Sequence, residues 1–204
     1  MMGPLEFLLF LGIVVVATTL VVVWLSGGFA PVRIEMVEYP ELKLLAEGYV
    51  GDYAKCGTAM NRIYLTLKRA GIVATRGFGL YYDNPKLAPK DRCRADIGCV
   101  LDCDADPVKI GALPGHIRAM SLDGGLYPTV RLPLKNKLSY ILGATKAYSK
   151  LAVHMKASDR EVAAGLEIYD MAGKTIDYII CYREALQTPS EEIAGEPVKI
   201  EQSA

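Results

Sequence analysis

The sequence predicts an α+β fold: duplicated βαββ units forming a mostly antiparallel sheet with two helices and a central cleft, preceded by one transmembrane helix. Three observations carry this. A strand entrance occurs twice, as Gly79-Leu80-Tyr81-Tyr82-Asp83 and as Gly165-Leu166-Glu167-Ile168-Tyr169. Each copy follows a helical stretch and leads into a second strand, and helices segregated from hairpin-connected strands indicate α+β. An apolar run, Phe7 to Leu25, stands ahead of both copies.

That run, roughly 19 residues long, spans a hydrocarbon core of about 30 Å as a helix. Thr18 and Thr19 can return their hydroxyls to carbonyls one turn earlier. Trp24 closes the run, where an amphipathic ring anchors at the headgroups. Ser26-Gly27-Gly28 ends the helix and reads as a flexible neck, so residues 1–31 are assigned as anchor and neck. A cleaved signal peptide is the rival reading. Its apolar core is usually about 7–15 residues and follows basic residues, whereas this amino end carries Glu6 and no Lys or Arg. Arg33 and Lys43 beyond the run favour a single-pass membrane protein with its domain on the cytosolic side.

Residues 32–183 form the domain. Val32, Ile34 and Met36 alternate with Arg33, Glu35 and Val37 as in a strand. After Pro40 the alternation resumes at Leu42, Leu44 and Ala46, and a turn is expected over Gly48 to Tyr53. Cys56, Met60, Ile63, Tyr64 and Leu67 fall at helical spacing, with Gly71 able to cap in a left-handed conformation. A strand through Leu80-Tyr81-Tyr82 follows, then a turn at Asp83-Asn84-Pro85-Lys86 and a strand from about Arg92 to Leu101.

Asp102 to Gly115 reads as a polar connection to the second unit, which begins near Ile117. Asp123-Gly124-Gly125 marks a turn, and Thr129 to Leu134 a short strand. A helix from about Asn136 to Met155 offers Leu138, Ile141, Leu142, Thr145 and Tyr148 on one face. Leu166 to Tyr169 and Thr175 to Tyr182 are the last strands, joined by a hairpin turn from Asp170 to Lys174. Residues 184–204, with several glutamates and two prolines, read as a disordered acidic tail.

The 204 residues carry 23 basic and 23 acidic side chains and are 51% hydrophobic. That suffices for one good core, and the absence of a basic stripe argues against nucleic acid as a partner. Five cysteines, an odd number at irregular spacing, do not form a disulfide framework. Cys93, Cys99 and Cys103 share strand parity with Ala95, Ile97 and Leu101 and read as small core residues. Neighbouring ones would lie roughly 13 Å or more apart along a strand, too far for one metal or one bridge.

Gly51-Asp52-Tyr53 before the first helix and Leu166-Glu167-Ile168-Tyr169 in the second unit resemble the GyrI-like, or effector-binding, domain family over roughly Arg33 to Arg183. The stretch Tyr81-Tyr82-Asp83-Asn84-Pro85, continuing to Pro89-Lys90-Asp91-Arg92-Cys93-Arg94, with the amino-terminal anchor, resembles the membrane-anchored testis-expressed family of endoplasmic-reticulum autophagy receptors. The resemblance implies a cleft that takes lipophilic cations, with the acid matched by Glu167 facing the ligand. It also implies a cytosolic domain that recruits protein partners. The receptors' tail motif, an aromatic residue with an aliphatic one three positions later, has no match here, because no aromatic follows Tyr182.

The candidate ligand-binding residues are Glu167, Tyr81, Tyr53 and Tyr169. Alternation places Glu167 on the face opposite Leu166 and Ile168. Tyr81 occupies in the first repeat the place of Glu167 in the second, and Tyr169 shares Glu167's face. An acid in a partly dry cleft attracts a cation more strongly than in water, and tyrosine faces add about 0.5–2 kcal/mol each. The loop Asp83 to Arg94, with Asp83, Asn84, Pro85 and Arg92, is the candidate partner surface; Asp83 reads as an Asx-turn residue. Tyr140 and Tyr148 read as packing.

Catalytic signals are few. His116 and His154 lack metal-ligand partners at useful spacing. Gly77-Phe78-Gly79 opens a strand and lacks the remaining glycine of a dinucleotide fingerprint. Neither a P-loop nor a Gly-x-Ser-x-Gly elbow is present. No cofactor and no metal are expected. The chain reads as a membrane-anchored binding domain for a small lipophilic or cationic ligand, or as a protein-recruiting adaptor. The alternative is a hydrolase of reactive small molecules with Glu167 as general base.

Overall fold

A computed structural model of the chain describes residues 3–101 and 106–183; Asp102, Cys103 and the expected tail lie outside the described residues. The elements are α1 (Pro4–Leu25), β1 (Glu35–Tyr39), β2 (Leu42–Val50), α2 (Cys56–Arg69), β3 (Arg76–Tyr81), β4 (Arg94–Val100), α3 (Pro107–Gly111), β5 (Ile117–Leu122), β6 (Gly125–Pro133), α4 (Lys137–Lys156), β7 (Val162–Asp170) and β8 (Thr175–Tyr182). The strands make one sheet in the order β1-β6-β8-β7-β3-β4-β2-β5, antiparallel at every pairing.

The duplication is visible in that order. One half is β2-α2-β3-β4 and the other β6-α4-β7-β8. The edge strands are exchanged: β1 precedes the first half in sequence but pairs with β6, and β5 precedes the second half but pairs with β2. The halves meet at β3 and β7, where Leu80 lies opposite Leu166 on a pseudo-twofold axis. One face of the sheet buries residues from all eight strands, among them Leu44, Phe78, Leu80, Leu166 and Ile179. The sheet curls until the turn at Gly124 approaches the corner at Tyr39 and Pro40. The other face carries α2, whose Ile63 and Leu67 share a buried cluster with Leu45 and Ile97 of the sheet, and α4, whose Leu151 shares one with Val130, Ile176 and Tyr178.

Local signals were reliable where they were strong. Gly71 ends α2 at φ +65°, and Asn136 caps α4 by accepting from Leu138 N at 2.9 Å. Thr18 and Thr19 donate to Val14 and Val15 carbonyls at 2.8 Å. Cys56, Cys93, Cys99 and Cys181 are buried and form no disulfide. Cys99 shares the helix-side face of β4 with Ala95 and Ile97, and Cys93 is buried just ahead of the strand.

Five expectations are corrected. The first strand begins at Glu35, and β2 continues through Gly48–Val50 because β4 pairs with it to Arg94. The connection before Ile117 contains the short α3, whose first turn Asp106 caps. The face α4 buries is Ser139, Gly143, Ala147 and Leu151, while Ile141 is 67% exposed. Size decided this more than hydropathy: a Cβ on Gly143 would lie 2.4 Å from the Tyr178 hydroxyl, so only small residues let α4 lie this close. Finally, the neck is docked, not flexible. Ser26 is buried, its hydroxyl accepts from Asn136 and its carbonyl accepts from Ser139, each at 3.0 Å.

Helix α1 is long and apolar enough to cross a membrane, and none of its apolar span is buried in the domain. A signal sequence shares that length and composition.

Candidate functional site

The site lies on the helix-bearing face of β3 and β7, between α2 and α4. On this face β3 presents Gly77, Gly79 and Tyr81, and β7 presents Gly165, Glu167 and Tyr169. The register sets Gly77 opposite Tyr169, Gly79 opposite Glu167, and Tyr81 opposite Gly165. Each large side chain therefore faces a glycine across the ladder. A glycine leaves the space that a side chain would fill, so three polar side chains share a floor of bare backbone. Tyr81 folds back over Gly79; a Cβ there would lie 2.5 Å from its hydroxyl oxygen. Tyr148 reaches down from α4 onto Gly165, where a Cβ would lie 2.8 Å from its hydroxyl oxygen.

These groups form a chain. Tyr169 donates to Glu167 Oε2 at 2.7 Å, and the Tyr81 and Tyr169 hydroxyls are 3.0 Å apart. A phenol has one proton. Tyr169 gives its proton to Glu167, so Tyr81 donates to Tyr169. Tyr140 packs on Tyr169 with ring centroids 5.5 Å apart. Tyr53 packs on Tyr81 with centroids 4.7 Å apart and planes at 61°. The structure thus brings Glu167, Tyr81, Tyr53 and Tyr169 together. It adds Tyr148 and Tyr140, which sequence reasoning assigned to packing alone. Aromatic residues eight apart on one helix were the available signal.

Three acids are buried among the described residues: Asp96, Asp177 and Glu167. The two aspartates lie on the opposite face and each has an arginine. Arg131 grips Asp177 with two bonds of 2.6 Å while Tyr39 donates to it at 2.8 Å. Arg118 and Tyr82 donate to Asp96 at 2.5 and 2.6 Å. Glu167, 8% exposed, accepts from the Tyr169 hydroxyl and meets no cation among the described residues. Burial pushes its carboxyl up to about 7, against the opposing pull of the Tyr169 and Tyr148 hydroxyls. Burial, with Glu167 next in effect, pushes the phenols of Tyr81, Tyr148 and Tyr169 well above their usual range. The same two causes push the Cys56 thiol, at the start of α2, up to about 12 and keep it from acting as a thiolate nucleophile.

The predicted partner loop is braced against this site. Asp83 accepts from Arg94 N at 2.8 Å, Nε at 3.0 Å and Nη2 at 2.9 Å, and Arg94 holds its carboxyl below the usual carboxylate range. Asp83 is therefore the clasp of the loop. The Asx turn belongs to Asn84, whose side chain accepts from Lys86 N at 3.0 Å. Asn84, Pro85 and Arg92 are exposed on the loop and stand apart from Glu167. The Tyr53 hydroxyl donates to Arg94 O at 2.6 Å and accepts from Asp83 N at 3.2 Å, which ties both ends of the loop to the ring over Tyr81. Tyr53→Phe is expected to cost about 1–2 kcal/mol and to speed amide exchange across the loop 83–94. Exchange mass spectrometry checks this, and unchanged protection would refute the brace. Among the described residues no cluster of His, Cys, Asp and Glu could hold a metal.

No protein-family model matches the chain. The SPbeta prophage-derived protein YosT of Bacillus subtilis (strain 168), named as a candidate transcriptional regulator, is 31% identical over 98 residues. That match spans 44% of this chain and 64% of YosT, so the chain covers less than two thirds of that relative. Among solved structures, the EcmrR C-terminal domain superposes with a TM-score of 0.54 at 16% identity, over 74% of this chain and 98% of that one. EcmrR in a complex with DNA gives a TM-score of 0.56 at 16% identity over 57% of its chain, so the likeness falls on its C-terminal domain. SAV2435 bound to tetraphenylphosphonium gives 0.50 at 11% identity, over 74% of this chain and 94% of that one. The domain has the GyrI-like fold that its motifs resemble.

Proposed function

We propose that the chain is a non-enzymatic binding module whose ligand is a lipophilic monocation, held in the membrane by α1 with its domain on the cytosolic side. One observation carries the reading: among the described residues, Glu167 is the buried acid without an arginine. Burying an unpaired carboxylate costs several kcal/mol, and a group so placed takes up a proton or a counter-charge. A cation entering over Gly79 would displace Tyr81, meet the carboxylate and lie among the faces of Tyr81, Tyr148 and Tyr169. The ligand of SAV2435, a cation with four aromatic arms, has this chemistry.

Titration of the full chain in detergent micelles with tetraphenylphosphonium tests the reading. Saturable binding that Glu167→Gln weakens by about tenfold or more is expected, the equivalent of about 1.4 kcal/mol of charge attraction. Equal affinity in the variant, or none in the parent, overturns it. The hydrolase alternative uses the same residue and parts from this reading in the assay. Turnover of an activated ester that Glu167→Gln abolishes supports hydrolysis; binding without turnover supports the binding module.

The adaptor role is a second reading, favoured by the loop 83–94, where Leu87 is 85% exposed on a frame clasped by Asp83 and Arg94. The endoplasmic-reticulum setting rests on the anchor and this loop's motif.

A further inference from the structure

The docking of the neck fixes which end of the domain faces a membrane. The neck runs along α4, and Lys146 donates to the carbonyls of Gly28 and Ala30 at 2.6 and 2.5 Å. With the two bonds to Ser26, four hydrogen bonds join the end of α1 to the first three turns of α4. A helix so joined cannot swivel as a tether. The link from β6 to α4 and the hairpin from β7 to β8 lie at this same end, because Pro133 pairs with Thr175 and Leu134 N donates to Lys174 O at 2.8 Å. The loop 83–94 lies at the other end, since Tyr81 pairs with Gly165 while Arg76 pairs with Asp170.

The membrane-side end has a matching chemistry. Lys135, Lys137 and Lys174 are exposed there. Trp24, Phe29 and Met171 expose 62%, 60% and 61% of their surface beside them. The acid in the same hairpin, Asp170, is engaged by Gly173 N at 2.7 Å. Between α1 and the β6–α4 link is an open cleft of about 210 Å³, walled by Trp24, Phe29 and Pro133 with Lys135 at its side. Apolar walls with an ammonium at the rim suit a molecule with an acyl body and an anionic head.

We propose that this end of the domain is a lipid-contact platform: the neck cleft and the rim of Lys135, Lys137 and Lys174 bind anionic phospholipids of the bilayer that α1 crosses. This rests on the reading of α1 as a membrane span. Aromatic rings belong at the headgroup level, and each lysine at an anionic surface contributes about 1 kcal/mol.

The test uses the full chain in vesicles of phosphatidylcholine, with and without phosphatidylserine at three parts in ten, and in detergent with inorganic phosphate. Lysine acetylation is read by mass spectrometry against Lys90, at the far end. Labelling of Lys135, Lys137 and Lys174 relative to Lys90 is expected to fall about fivefold in the serine-lipid vesicles, the factor equivalent to that energy. Inorganic phosphate in detergent should give no protection; if it protects equally, the site is one for free phosphate and the platform is overturned. Trp24 is the single tryptophan of the chain, so its quenching by brominated lipid reports α1 insertion separately. Quenching with unprotected lysines overturns the platform alone. No quenching overturns the anchor and the platform with it.

Discussion

Glu167→Gln is expected to stabilise the unliganded protein by about 3 kcal/mol at pH 8 and by almost nothing at pH 4. The carboxyl is raised from its ordinary 4.5 to about 7 in the folded chain, first by burial. Below pH 4.5 both folded and unfolded states hold the proton, and the residue has no electrostatic cost. Between 4.5 and 7 the unfolded chain releases it while the folded chain keeps it, so stability falls as pH rises. Above 7 both are ionised and the full cost remains. Glutamine has no charge to bury and still accepts from Tyr169. For a chain of this size the gain at pH 8 is roughly 6–12 °C in Tm.

Thermal unfolding of both proteins in the same detergent, from pH 4 to pH 8, checks this. Equal Tm differences at the two ends, or a less stable variant at pH 8, would show that Glu167 is not a buried acid without a cation. A bound monocation reverses the sign. It pairs with the ionised form, so wild-type affinity should rise with pH up to about 7 and level off, with a proton released on binding below that point.

Much of this site was legible. The repeat Gly79-Leu80-Tyr81 and Gly165-Leu166-Glu167 announced the pseudo-symmetry, and strand alternation put Glu167 and Tyr169 on one face. The register that sets every large side chain opposite a glycine needed only the pairing of Leu80 with Leu166. The unread part depends on approach between elements. Gly143 and Ala147 lie under α4 because Tyr178 occupies the space above the sheet, and hydropathy alone chose the face of Ile141 instead. The contrast between Glu167 and the two paired aspartates is also tertiary. Arg131 sits opposite Asp177 across a ladder, 46 residues away in sequence. Ser26-Gly27-Gly28 has the composition of a hinge, yet carbonyl acceptors met by Lys146 and Ser139 make it a joint.

Gly98→Ala is expected to cost about 3 kcal/mol, at the upper end of what overpacking does, and to lower Tm by roughly 6–12 °C. Gly98 sits in β4 opposite Ala46 of β2 and Phe78 of β3. A Cβ there would lie 1.9 Å from the Leu45 carbonyl oxygen, 2.9 Å from its carbon and 3.0 Å from Ala46 Cα. These are backbone atoms in the middle of a sheet and cannot swing aside as a side chain can. The curl of the sheet brings β2 over β4 at this point, and glycine is what admits it. Relief requires β2 to move off β4, which loosens the support of β3 and the floor at Gly77 and Gly79. Cation affinity should therefore fall together with stability. Gly57→Ala is the control. It stands in the first turn of α2 with nothing within 4 Å of its Cβ position, so alanine should stabilise by up to about 1 kcal/mol. Thermal unfolding of the two variants separates crowding from the general effect of replacing glycine. A Gly98→Ala protein with parental Tm would mean that β2 and β4 are not so closely stacked, and that the floor of the site does not depend on them.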